Sequence, residues 1–200
     1  MKLIIRFIVL LLLLNTSVQA QSLNNKINNA VQSVQDSIRD VVEASASEID
    51  KDANTALAML REEISDSSLI IDQAYGYLVF PRIVKVGVGI GIETGEGVLR
   101  INDLSVDYYR LSSGSLGFQL GAQAKGEVVA FMTQDILNNF RNNPGWKVGV
   151  DGSITIIDQG LGKSIDTDNI LDPIVAFVFD NRGLMYSLTM EGTIFNLISK

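Results

Sequence analysis

The stretch LVFPRIVKVGVGIGIETGEGVL, Leu78 to Leu99, decides the fold of this chain. Within it Gly87, Gly89 and Gly91 alternate with Val88, Ile90 and Ile92. In an extended strand that alternation puts every glycine on one face and every branched apolar side chain on the other. A glycine inside a strand costs stability and gives up a packing side chain. Three in succession therefore mark a place where another backbone, a helix or a flat ligand comes very close. The string is not a dinucleotide fingerprint, which needs G-x-G-x-x-G turning from a strand into a helix. Here period two is strict, and Gly95 and Gly97 read as a hairpin turn over Glu93 to Gly97.

Outward from this stretch the periodicity is strand-like. Tyr77 to Phe80 reads as a short strand stopped by Pro81, and Val98 to Ile101 and Val106 to Leu111 as further strands. Leu116 to Gln123 repeats the opening pattern: Leu116, Phe118 and Leu120 alternate with Gly117, Gln119, Gly121 and Gln123. A sheet carrying both stretches has one apolar face and one face of glycine and amide, suited to a shallow groove. Glu127 to Phe131 is apolar enough to be buried on both sides. Thr133 then caps a helix whose Ile136, Leu137 and Phe140 face inward, Pro144 and Gly145 end it, and Trp146 follows as a core anchor. Ser153 to Asp158 and Ile174 to Phe179 are strands separated by a polar loop, and Asp180 to Gly183 reads as a tight turn into Leu184 to Met190.

Upstream the pattern is helical. Leu23, Ile27, Val31, Val34, Ile38 and Val41 form one stripe, with Lys26 and Arg39 the only cations on a polar face rich in asparagine. Membrane-surface helices carry Lys/Arg-rich polar faces, so this stripe reads better as packing on the domain or on a partner. A second stripe, Ile49, Ala53, Ala56, Leu57, Leu60 and Ile64, ends in a serine cluster, after which Asp66 is placed to cap a short helix from Ser67 to Ala74. The first twenty residues read as a secretory leader: Lys2 and Arg6, then the apolar run Ile8 to Leu14, then Val18 and Ala20 before a cut. The expected organisation is a leader at 1–20, a helical segment at 21–65 and one domain at 66–200. The fold class is α+β, a largely antiparallel, curved or barrel-like sheet with N-terminal helices and one inserted helix.

Composition narrows the chemistry. The chain has no cysteine and no histidine, which excludes disulfides, thiolate zinc sites, cysteine nucleophiles and every histidine acid, base or ligand. There is no G-x-S-x-G elbow, and the acidic loop Asp166, Asp168, Asp172 lacks the glycine and terminal glutamate of a calcium loop. No catalytic residue, cofactor or metal site is expected, and the chain reads as non-enzymatic. With the leader's Lys2 and Arg6 removed, 14 basic residues face 23 acidic ones, a balance that repels nucleic acid and anionic membranes unless the few cations are clustered. Of the cations, Arg82, Lys85, Arg100 and Lys125 fall in or beside the glycine-rich half. Lys85 shares the strand face of Gly87, Gly89 and Gly91, which places an ammonium at the end of the bare strip, for an anion or for a pairing with Glu93 or Glu96.

Taken together, Ala74, Gly76, Phe80, Pro81, Lys85, Gly87, Gly89, Gly91, Gly95 and Gly97 form a pattern continued by Gly117, Gln119, Gly121 and Gln123. PGWKVGVDGS from Pro144 to Ser153 and the residues Gly183, Leu184, Glu191 and Gly192 extend it. The pattern resembles the SYLF domain, over about Leu69 to Leu197. That lipid-binding domain occurs in yeast actin-patch proteins, vertebrate adaptors and plant trafficking proteins, with many secreted bacterial relatives. The resemblance implies binding of a phospholipid, of phosphatidylinositol type in some members, and of actin in some eukaryotic ones. With the leader, it implies a lipid-binding protein of the bacterial cell envelope, periplasmic or secreted, with a phospholipid or membrane surface as partner. The expected ligand-binding residues are Arg82, Lys85, Gly87, Gly89, Gly91, Arg100 and Lys125. The alternative is an interaction protein whose N-terminal helix docks a protein partner and whose glycine face is filled internally.

Overall fold

Asn102 and Asp103 both take positive φ, 51° and 63°, and so make the two-residue turn whose twist suits a tight hairpin. They join β1 (Gly76–Ile101) to β2 (Leu104–Phe131), antiparallel partners from Gly76 opposite Phe131 to Ile101 opposite Leu104. The computed structural model describes residues 43–158, 172–183 and 190–200, and between 21 and 39 positions 21–22, 24–26, 28–29, 32, 35–36 and 39. The leader, every apolar residue of the first helical stripe, most of the acidic loop and Leu184 to Thr189 lie outside the described residues.

The hairpin is folded back on itself. Lys85 Nζ lies 3.9 Å from Glu93 Oε2. Eight residues of straight strand would separate their backbones by about 26 Å, so β1 must bend sharply between them. The two halves of β1 then lie side by side. A Cβ on Gly95 would stand 2.8 Å from the Arg82 carbonyl oxygen, and one on Gly97 would collide with the Val79 carbonyl and the Phe80 ring. The bend falls on the glycine run, where Gly87 opposes Gly121 and the register shifts between Val88 and Ile90.

Because β1 and β2 each pass through both halves, six strands supply eight segments of one curled, half-barrel sheet. The later part of β2 pairs with β5 (Ile174–Gly183), which pairs in parallel with β4 (Thr155–Asp158). Its earlier part pairs with β6 (Ile194–Ile198), which carries the short β3 (Trp146–Lys147). The expected α+β class with a curled and largely antiparallel sheet is the observed one.

Two cores follow. Helix α1 (Ala46–Glu63) starts at a capping box, with Ser45 and Glu48 each satisfying the other's backbone N–H. It buries Ile49, Ala53, Ala56, Leu57 and Leu60, the expected stripe, against Tyr77, Val79, Val128, Val175 and Phe177. Each buried Leu or Ile there is worth about 1.5–3 kcal/mol. On the inner face Phe80, Tyr109, Phe131 and Phe195 gather around Phe140 of α3 (Gln134–Asn142) and around Trp146, which is 2% exposed. Thr133 caps α3 as expected, its Oγ1 accepting the Ile136 N–H at 3.3 Å.

Six sequence expectations need correction. The turn expected at Glu93 to Gly97 lies inside β1; Gly95 and Gly97 admit the other half of the same strand, and the reversal is made by Asn102 and Asp103. Pro81 does not stop the strand, because it sits at a register shift between Phe80 and Ile83, where its missing donor leaves no ladder bond unmade. The strands expected separately at Val98, Val106 and Leu116 are parts of β1 and β2, and Asp180 to Gly183 continues β5 past a bulge at Asp180, φ 49°. Helix α2 (Ser67–Ile71) stops three residues short of Ala74, and Asp66 precedes it without a side-chain cap.

The first 37 residues form a unit of their own, in which the described positions from Gln21 to Asp36 are helical and Gln32 donates to Asp36 at 3.1 Å. No helix among the described residues is long and apolar enough to cross a membrane. The fold-back predicts a contrast between glycines. Gly97→Ala should lower unfolding stability by about 2–4 kcal/mol through overpacking. Gly114→Ala, where a Cβ meets nothing within 4 Å, should leave it within about 0.5 kcal/mol. Urea denaturation of the two variants checks this.

Candidate functional site

Next to the bend, the inner face of the sheet changes from aromatic to charged. Gln123, Lys125 and Glu127 share the β2 parity of Val129 and Phe131, so their side chains turn into the same interior as the aromatic core. Lys85, opposite Gln123 in β1, joins them. Glu93 enters from the far side of the fold-back. All five are buried, with Lys85 and Lys125 each 6% exposed and Glu127 fully enclosed.

The geometry is a chain of ion pairs. Glu93 Oε1 is 2.8 Å from Lys125 Nζ and its Oε2 is 3.9 Å from Lys85 Nζ, so one carboxylate bridges two ammonium groups. Lys125 Nζ is also 3.4 Å from Glu127 Oε2. Neither Glu127 oxygen accepts a well-directed hydrogen bond among the described residues. Gln123 Nε2 donates to Asn181 Oδ1 at 2.5 Å, and among the described residues the buried Gln123 Oε1 and Asn181 Nδ2 have no partner.

Burial pushes the Glu127 carboxyl above the ordinary carboxylate range, and the attraction of Lys125 does not offset it; the neighbouring Glu93 carboxylate adds to the rise. Burial alone would lower Lys125, but the Glu127 and Glu93 carboxylates outweigh it and hold the ammonium above the usual lysine value. The shorter and better directed contact makes Glu93 the principal counter-ion of Lys125. Glu127 is the acid most readily held neutral.

The expected site residues do not all meet. Lys85 and Lys125 converge beside the glycine bend. Gly87, Gly89 and Gly91 are strand residues of that bend, opposite Gly121, at the register shift and opposite Ser115 respectively. Arg82 is exposed on the outer part of β1. Arg100 lies apart, buried, donating to Asn54 Oδ1 at 2.8 Å and to the Asp50 carbonyl at 3.2 Å, and so fastens α1 to the tip half of the hairpin. Asp50 completes that fastening by accepting from Ser105 and Tyr108.

Glu93, Glu127, Gln123 and Asn181 belong to the site although none is among the expected ligand-binding residues. Glu127 carried a signal, a lone carboxylate at the inward parity of an apolar run. Glu93 carried one as well, as a partner expected for Lys85, and the bend brings the two to 3.9 Å. A separate buried carboxylate, Glu96, takes Arg110 and Lys200 at 2.6 Å each and so ties the chain's last residue to β1. Among the described residues no group of three acidic, histidine or cysteine side chains is placed to hold a metal ion.

Glu127 sets a pH dependence. Its pKa is raised in the folded state, so folding carries no penalty below the unfolded carboxyl value near about 4.3, where both states are protonated. Stability is lost as pH rises from there through the raised folded value. Glu127→Gln should therefore raise the melting temperature at pH 8, by about 2–4 °C per kcal/mol relieved, and change it little at pH 4. Thermal unfolding at the two pH values reads this; equal shifts at both would contradict it.

Comparison with known proteins gives one family. Residues 112–197 match the family model Ysc84, described as Las17-binding protein actin regulator. No curated protein matches the chain. The matched segment runs from the middle of β2 through α3, Trp146 and β5 to β6, and it includes Gln123, Lys125, Glu127 and Asn181. Lys85, Glu93 and the glycine run precede it. Over residues 112–197 the chain is thus similar to the SYLF family, in line with the resemblance of its sequence pattern.

Proposed function

We propose that this chain is a non-enzymatic phospholipid-binding protein of the bacterial cell envelope, exported by cleavage of its leader after Ala20. The observation that carries the reading is the convergence of Lys85 and Lys125 beside the glycine bend, in a domain whose family is a lipid-binding one. Two ammonium groups on neighbouring strands suit a phosphate-bearing head group. Arg82, exposed on the same strand, is the outward cation that meets a membrane surface first. Binding needs no covalent step, which accords with the missing histidine and cysteine.

A second reading has one observation in its favour: the family description names a protein partner, Las17. In that reading the N-terminal helical unit docks a protein, and the lysine pair only holds the sheet together.

Vesicle flotation separates the two. The chain from Gln21 onward should float with phosphatidylglycerol vesicles at low ionic strength and stay behind with phosphatidylcholine. Arg82→Glu should reduce the bound fraction several-fold without changing the melting temperature, and Lys85→Met should remove the preference for the acidic lipid. If the folded protein fails to float with acidic vesicles at low salt, the lipid reading falls. Recovery of one defined protein partner, lost when residues 21–43 are deleted, would then support the second.

A further inference from the structure

Two lysines facing each other inside a barrel repel unless an anion lies between them. Here that anion is intramolecular and comes from eight residues along the same strand. Glu93 gives one oxygen to Lys125 at 2.8 Å and turns the other towards Lys85 at 3.9 Å. It does so from a fully formed strand, paired with Ser113, so the carboxylate is delivered by the fold-back itself.

The second carboxylate is a poor substitute. Among the described residues Glu127 accepts no well-directed hydrogen bond, and burial raises its pKa. The cluster sets the two lysine amines against one well-directed carboxylate, Glu93, with Glu127 Oε2 3.4 Å from Lys125 Nζ. Gln123, opposite Lys85, holds Asn181 through its Nε2, and among the described residues Gln123 Oε1 and Asn181 Nδ2 have no partner. Two lysine amines that converge on one carboxylate make the donor set of an oxyanion site.

We propose that Lys85 and Lys125 form an internal oxyanion site whose resident occupant is the chain's own Glu93 carboxylate, and that a phosphate group takes the same position when Glu93 leaves it. The proposal deepens the lipid reading, on which it rests for the identity of the physiological anion. It adds that the site is closed by an intramolecular mimic of its ligand. Free phosphate and a lipid head group share the chemistry, and the test treats them separately.

The test is chemical rescue in the full mature chain. Glu93→Ala leaves the lysines without their bridge and should melt below the wild type at neutral pH. Inorganic phosphate should then raise the variant's melting temperature saturably, by at least about three times the shift given by chloride at equal ionic strength, because it binds only the folded state. The wild type should show no such excess. Glu93→Ala combined with Lys85→Met should lose the response. If Glu93→Ala does not fold alone, refolding from urea in phosphate against chloride is the readout.

Equal behaviour in the two salts, or an undiminished response in the double variant, overturns the site. Phosphatidylglycerol vesicles supply the second arm: Glu93→Ala should bind them more tightly than the wild type, and free phosphate should compete. Rescue by phosphate without any vesicle binding keeps the internal site and removes the lipid reading. Vesicle binding by the wild type without rescue does the reverse.

Discussion

The constraint on which this structure depends is the bend in one long hairpin. Strands of 26 and 28 residues left straight would be a ribbon with two wet faces, and a two-stranded ribbon is at best marginal in water. Folding it back at the glycine run turns one hairpin into both walls of a half-barrel. The aromatic core, the docking face for α1 and the pairing edges for β5 and β6 all follow from that step. Side chains oppose such a bend on both strands, and the bend has glycine on both, with Gly87 set against Gly121. The close approach of Gly95 to Arg82 and of Gly97 to Val79 then lets the halves of β1 settle together without a ladder of hydrogen bonds.

The bend also explains why the barrel interior is chemically divided. Away from it, α3 and Trp146 supply enough aromatic surface to fill the space between the walls. Beside it, the walls meet at a glycine corner. The residues there are long and charged: two lysines and two glutamates. Burying charges is expensive, and well-packed apolar residues would often serve stability equally well. The cluster is therefore poor evidence for stabilisation, while two lysine amines converging on one carboxylate fit an anion site. Arg100 marks the contrast, since its two terminal guanidinium nitrogens donate to Asn54 and to the Asp50 carbonyl and so do a structural task.

How much of this was legible depended on whether the deciding contact was local. The α1 stripe from Ile49 to Leu60 and the Thr133 cap rest on spacing of three to four residues, and Trp146 as core anchor on its hydrophobic bulk, and all could be read directly. The glycine alternation showed that something lay close to the strand, and Lys85 showed which face carried charge. What spacing could not show was that the visitor at Gly95 and Gly97 is β1 itself. Two glycines after Glu93 have the look of a turn, yet Asn102 and Asp103, with less conspicuous chemistry, make it by accepting positive φ. A straight strand would set Lys85 and Glu93 about 26 Å apart, so charge suggested the pairing while spacing hid the bend that makes it.

Net charge constrains how such a site can act. The chain carries a formal charge of −7, so its long-range field repels acidic membranes and free phosphate alike. Attraction must then come from a few cations acting within a Debye length of roughly 8 Å at physiological salt, where a recessed pair is felt and the average surface is not. Surface lysines would be paired with the surrounding carboxylates and largely neutralised. A pair held inside the barrel keeps its strength because water and counter-ions are excluded, but it must then be neutralised when empty. Glu93 meets that requirement from within the chain. The same burial that makes the lysines strong enough to hold an anion obliges the fold to provide one.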